Sequence, residues 1–317
     1  MAEEKNGLIV TPAPHFKSKE TTTQIMFWVI GALAPVTLAA LYFFQLYAFR
    51  AIAGAVLGAV LAEYVIQKAR KLPVTISDGS AILTGLLLAL TLPPKVPWWT
   101  PLIGGIVAIS LGKHVFGGLG YNIFNPALVG RAVLTLSWPA HMSRDWFTYL
   151  KIDSVTGATP LYLAKQMREG LIKIDFAQYY KPLLLINKSG SIGEISNLLI
   201  IAGGLILLWK GIIDWRIPGT YVISAALFSF VFKADPIFSV LAGGLLLGAV
   251  FMATDYVTSP VTDRGRLIFG IGCGFFTILM RVFSSLPEAV MYAILFMNAF
   301  APLIDRYTQP KVFGAKV

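Results

Sequence analysis

Apolar runs alternate with short polar connections along most of the chain, and ten of them read as membrane segments. They fall at 25–48, 51–68, 79–93, 100–116, 122–138, 196–209, 217–233, 236–254, 267–285 and 287–304. Some approach the ~20 residues that cross a bilayer, while others are short. The third, fourth, fifth and eighth carry Gly or Pro where a simple helix would break. Broken helices at membrane depth are tolerated only against protein or a polar cavity, so the middle of each half is expected to line a site. The pattern predicts an all-α polytopic membrane protein. Its expected parts are an N-terminal segment 1–24, a first membrane repeat 25–138, a polar loop 139–195, a second repeat 196–304 and a tail 305–317. Residues 1–24 hold no apolar run, so they read as a retained cytoplasmic segment and not as a signal peptide.

The halves echo one another. Pro97-Trp98-Trp99-Thr100-Pro101-Leu102-Ile103-Gly104-Gly105 and Pro236-Ile237-Phe238-Ser239-Val240-Leu241-Ala242-Gly243-Gly244 share P-x-x-[S/T]-x-L-x-G-G, 139 residues apart. Downstream, Asn125-Pro126 with Arg131 is loosely matched by Ser259-Pro260 with Arg264. Gly pairs also serve helix packing. The shared order nevertheless predicts two parallel five-helix repeats.

Composition sharpens the class. The chain has 317 residues, 56% hydrophobic and 13% charged, against about 25% charged in soluble domains. Its net charge of +10 does not point to nucleic acid, because Lys and Arg sit singly or in small groups between apolar runs. With the N-terminus in the cytoplasm, fourteen basic residues, Lys113 among them, face inward. Only Arg50, Lys95, Lys233 and Arg281 sit in the short outer connections. This asymmetry places both termini in the cytoplasm and the 139–195 loop outside. Trp98, Trp99, Trp138 and Trp146 then fall at the outer boundary, as an interfacial belt would.

One cysteine, Cys273, cannot hold an iron–sulfur cluster, and His15, His114 and His141 show no metal-ligand spacing. No metal site or catalytic residue is therefore assigned. Charged residues inside apolar runs are the candidates, since an ion in lipid must be paired or hydrated. Glu63 and Asp255 fit either a functional role or a place near the cytoplasmic interface. Asp255, followed by Thr258, Ser259 and Thr262, could bind a hard cation, relay a proton or simply end a helix in water. Arg131, in the segment that begins near Asn125-Pro126, suits an anion or a flavin carbonyl equally with exposed helix carbonyls. Asp78 reads best as a helix cap.

The polar loop contains Asp153-Ser154-Val155-Thr156-Gly157-Ala158-Thr159-Pro160-Leu161. Small residues at a turn are common. Here Gly157 and Ala158 leave the Thr159 hydroxyl unshielded, and Pro160 restrains its backbone to an extended form. This stretch resembles the flavinylation motif of the RnfD/NqrB family. So do "SDGSAILTGLLLALTLPP", "GKHVFGGLGYNIFNPALVGRA" and "MATDYVTSPVT", in the same order. The resemblance implies that Thr159 carries FMN through a phosphoester installed outside the membrane by a flavin transferase. Asp153, Thr156, Gly157 and Ala158 would complete the recognition motif, with Thr156 where Ser is usual. It further implies a urea- and ammonium-transporter-like fold, a non-covalent riboflavin, and assembly with other subunits of a redox complex that moves Na⁺ or H⁺. The short N-terminal segment favours the D subunit of an Rnf-type ferredoxin:NAD⁺ oxidoreductase over the B subunit of the Na⁺-translocating NADH:quinone reductase. A solute transporter or channel would explain the helices but not the motif.

Overall fold

The computed structural model describes residues 21–144, 160–168, 170–171, 175–186, 189–284 and 289–309, and no strand occurs among them. In the first half, α1 (Thr22–Phe44) opens on a capping box in which Thr21 and Gln24 satisfy each other's backbone N–H. Then follow α2 (Leu46–Ala69), α3 (Ser80–Thr91), α4 (Trp99–Ile109) and α5 (Pro126–Ser137). A π turn over Ser110–His114 extends α4. Three short helices follow: α6 (Pro139–Arg144), α7 (Pro160–Arg168) and α8 (Ala177–Leu185). The second half comprises α9 (Asn197–Trp209), α10 (Arg216–Val231), α11 (Pro236–Leu241), α12 (Leu245–Leu247), α13 (Asp263–Phe283) and α14 (Val290–Thr308). A second π turn, Gly248–Met252, extends α12.

Length separates these helices. By length and composition α1, α2 and α13 can each cross a membrane, making this an integral membrane protein. By contrast α3, with 12 residues, rises about 18 Å, short of the roughly 30 Å hydrocarbon layer. Gln45 alone, at φ 48°, turns the chain between α1 and α2. Hydropathy placed that break near 49–50, because a one-residue turn without Gly or Pro leaves no mark on the apolar pattern.

Helix backbones meet at glycines. A Cβ on Gly105 of α4 would lie 2.8 Å from Ala59 N on α2. One on Gly274 of α13 would lie 2.8 Å from the Tyr221 carbonyl on α10. Only glycine permits such approach. Thus α2 packs along α4 much as α10 packs along α13. The two P-x-x-[S/T]-x-L-x-G-G stretches, by contrast, take different shapes. Gly104-Gly105 lies inside a continuous helix, whereas Gly243 (φ 70°) and Gly244 (φ 67°) break the chain between α11 and α12. The motif therefore marks one packing surface and one chain break, and it does not align equivalent helices.

The polar stretch before α9 is anchored at its end. Residues Ser189–Asn197 are buried. The Ile192–Ile195 turn fits between the ends of α3 and α12, with Ile192 N donating to the Leu92 carbonyl at 3.1 Å. Outside it, α7 and α8 dock on α11 through Leu161, Tyr179, Leu183, Phe238 and Ala242. Tyr180 Oη donates to Asp235 Oδ2 at 2.5 Å, and this bond is the main cause lifting the Tyr180 phenol to about 12.

Candidate functional site

The two π turns, one from each half, face the same cleft. Its space, open mouth included, is about 770 Å³. Ile25, Met26, Val29, Leu87 and Phe251 give it apolar walls, while Lys113, Asn122, Asn125 and Asp255 supply polar atoms. π turns shift helix register by one residue, and they concentrate at functional sites.

Asn125 is fixed by its role at the start of α5. Its Oδ1 accepts from Ala127 N at 3.0 Å and Leu128 N at 3.3 Å. Its Nδ2 donates to the Met252 carbonyl at 3.1 Å, tying α5 to the second π turn. Pro126 needs no N–H partner in that first turn. Asn122 is 4% exposed, and its Oδ1 has no hydrogen-bond partner among the described residues. A buried acceptor left open beside a cavity marks a place for a ligand's N–H or O–H. Asp255 lines the same cleft, accepting from Thr258 Oγ1 at 3.3 Å.

Behind one wall lies a buried ion pair. Glu63 on α2 is fully buried and Lys113 is 2% exposed. The Lys113 Nζ donates to Glu63 Oε1 at 2.6 Å, Oε2 at 2.8 Å and Ser80 Oγ at 2.8 Å. Gln67 Nε2 adds a bond to Glu63 Oε1 at 3.0 Å and another to Thr75 Oγ1 at 2.8 Å. Lys113 and Ser80 line the cleft; Glu63 does not.

The candidates named from sequence therefore separate. Asp255 and Asn125 reach the cleft, whereas Arg131 lies further along α5 and does not line it. Glu63 is fully buried. Lys113, an inward-facing surface charge by its place in the sequence, is instead its buried partner. Asp78 stands one residue before Gly79, the N-cap of α3, and from there its Oδ1 accepts from Ser80 N at 2.7 Å. Arg281, an outer charge by the same reckoning, donates to the carbonyls of Ser239, Ala242 and Gly243 where α11 ends. Asp153, Thr156, Gly157, Ala158, Thr159 and Trp146 lie outside the described residues.

Broken helices that close on a polar cleft inside an apolar bundle make this an integral membrane protein with an internal polar cleft. The chain belongs to the NQR2, RnfD, RnfE family, whose model matches residues 9–314. It is similar to the D subunit of the Na(+)-translocating ferredoxin:NAD(+) oxidoreductase complex of Acetobacterium woodii, 45% identical over 97% of this chain and 96% of that one. It is 42% identical to the D subunit of the proton-translocating ferredoxin:NAD(+) oxidoreductase complex of Clostridium ljungdahlii, over 99% of this chain and 98% of the relative. The D subunit of the ion-translocating oxidoreductase complex of Methanosarcina acetivorans is 39% identical over 96% of each chain.

Proposed function

We propose that the chain is the D-type membrane subunit of an ion-translocating ferredoxin:NAD⁺ oxidoreductase complex, carrying electrons across the cytoplasmic membrane. The observation that carries this reading is near-full-length similarity to subunits of that name, together with an intact Asp153–Leu161 motif. Similarity to D subunits also makes it the better reading over the quinone-reductase B subunit or a redox-free transporter.

In this reading Thr159 bears FMN as a phosphoester, attached by a flavin transferase on the outer side. The docking of α7 on α11 would hold the tether against the bundle. The cleft between the π turns suits riboflavin. Its apolar walls match a flat ring system, Asn122 Oδ1 offers an acceptor to a ring N–H, and Lys113 brings a cation near the carbonyl edge. A flavin held there would supply one-electron redox chemistry; the protein supplies position, exclusion of water and a fixed charge. Ten membrane passages in two five-helix units fit the helix order. The packing of α2 on α4 matches that of α10 on α13, and because five is odd the second unit would enter from the opposite side, so in this reading the two units are inverted and not parallel as expected from the sequence. Both termini then face the cytoplasm.

The test is to purify the full chain from cells that also express the flavin transferase, then look for ultraviolet fluorescence of the denatured band. Peptide mass spectrometry is expected to find FMN on Thr159, and Thr159→Ala is expected to remove it while leaving the protein folded. Covalent FMN persisting in the Thr159→Ala protein would refute the attachment site. A dark wild-type band, with the transferase active on a control substrate, would refute the flavoprotein reading.

A further inference from the structure

We infer that Glu63 and Lys113 form a displaceable pair, in which the Lys113 ammonium occupies a site that Glu63 otherwise offers to a monovalent cation. Three oxygens surround the ammonium, Glu63 Oε1 and Oε2 and Ser80 Oγ, all within 2.8 Å. A carboxylate plus a hydroxyl is also the donor set that a small hard cation takes. Lys113 differs from an ordinary structural cation because it lines the cleft as well as pairing with Glu63. Its flexible stem lets the charge turn either way.

Access to Glu63 comes from the opposite direction. Thr75 is exposed in the loop after α2. Its Oγ1 receives Gln67 Nε2, and its N–H donates to Gln67 Oε1 at 2.9 Å. Gln67 in turn bonds Glu63. A polar file thus runs from the surface, through Thr75 and Gln67, to Glu63, and stops at Lys113 on the wall of the cleft. The other charged or titratable groups near Glu63 are Arg70 on its own helix, which donates to the His114 carbonyl, and His114 on the π turn. Both nitrogens of the buried His114 ring lack partners among the described residues. Asp78 is occupied by Ser80.

The coupling follows from charge balance. With the cleft neutral, Lys113 neutralises Glu63. When one electron from a ferredoxin-type donor places negative charge in the cleft, Lys113 turns toward it and keeps its proton. Glu63, buried and without a counter-charge, takes one cation through the Gln67 file. One electron is matched by one cation, and removal of the electron reverses both moves. The origin of the charge rests on the proposed flavin in the cleft; the cation seat itself does not.

The test uses the full chain in detergent. Lys113→Met leaves Glu63 without its internal partner, so a cation should now bind without any electron. If the cation is Na⁺, the variant's thermal midpoint rises saturably with NaCl, and not with choline chloride at equal ionic strength. If it is a proton, the midpoint rises as pH falls in Na⁺-free buffer. Glu63→Gln combined with Lys113→Met should abolish either response. A Lys113→Met protein indifferent to both Na⁺ and pH overturns the proposal. Should that variant fail to fold, the wild-type midpoint potential of the non-covalent flavin decides. One cation per electron predicts a rise of about 59 mV per tenfold increase in Na⁺ or, for a proton, a pH slope steeper by about 59 mV per unit than that of the Glu63→Gln protein; a potential indifferent to Na⁺ with a pH slope unchanged by Glu63→Gln overturns the coupling. A preparation that binds no non-covalent flavin would refute the reading of the cleft, leaving the Lys113→Met salt and pH series to decide the cation seat.

Discussion

Single charged residues in this chain find their partners at very different distances along it. Asp78 was readable at a helix start because its partner lies two positions away in the chain. Glu63 was visible as a charge in an apolar run, but Lys113 is fifty residues distant, and only the packing of α2 on α4 brings them together. A lone Lys near a helix end has the same local pattern whether it reaches water or a buried carboxylate. Asp214, between α9 and α10, is a case outside the membrane-spanning helices. Burial pushes its carboxyl up, but hydrogen bonds from the Arg216 backbone and side chain and from Arg266 prevail, holding it below the usual range. A depressed carboxyl contributes stability above its ordinary pKa of about 3.9 and loses it as pH falls through the lower folded value. Asp214→Asn should therefore lower stability at pH 7 by on the order of 1 kcal/mol. The gap should narrow in thermal melts as pH falls below the ordinary carboxylate pKa and through the lower folded value.

At the scale of elements, the helices themselves were legible and their breaks only partly so. Asn125-Pro126 announced the start of α5, since a side-chain acceptor followed by Pro suits a helix entry. A break in the eighth segment was legible from its glycines and falls at Gly243-Gly244, but the same letters in the fourth segment, Gly104-Gly105, do the opposite work of seating one helix on another. Both uses need glycine, one for left-handed backbone and one for lack of a side chain, and the letters do not distinguish them. The close approach of α10 and α13 yields a direct prediction. Gly274→Leu must separate two touching backbones, so it should destabilise by about 1–3 kcal/mol or more. The check is a lowered thermal midpoint for the purified variant, with Gly118→Ala, where a Cβ meets nothing within 4 Å, as the position free of crowding. Gly118 has φ 111°, so its own smaller cost reports backbone strain alone.

For the whole molecule, composition established a helical membrane protein, but neither composition nor identity selects the ion. Relatives named for Na⁺ and for protons match this chain at 45% and 42%, so overall similarity does not discriminate between them. In the proposed coupling, discrimination falls to the few atoms around Glu63. The proposed topology can be tested with the protein's own chemistry. Cys273 is fully buried, so it should stay unmodified by a membrane-impermeant maleimide in intact cells. Cysteines placed at Lys95 and Lys68 should then report opposite faces: Lys95→Cys labelled from outside, Lys68→Cys only after the membrane is opened. Labelling of both from one side would overturn the assigned orientation.

The buried turn Ile192–Ile195 bears on how the chain is made. It closes the end of α3, yet it is synthesised about a hundred residues later, after the Asp153–Leu161 stretch. Until it arrives, the carbonyl of Leu92 and the side of Leu90 lack their cover. The first half thus leaves the ribosome as an unfinished object, completed by a segment made later. Biosynthesis of the two halves is interlocked, and a nascent chain stalled before residue 189 would leave the end of α3 uncovered.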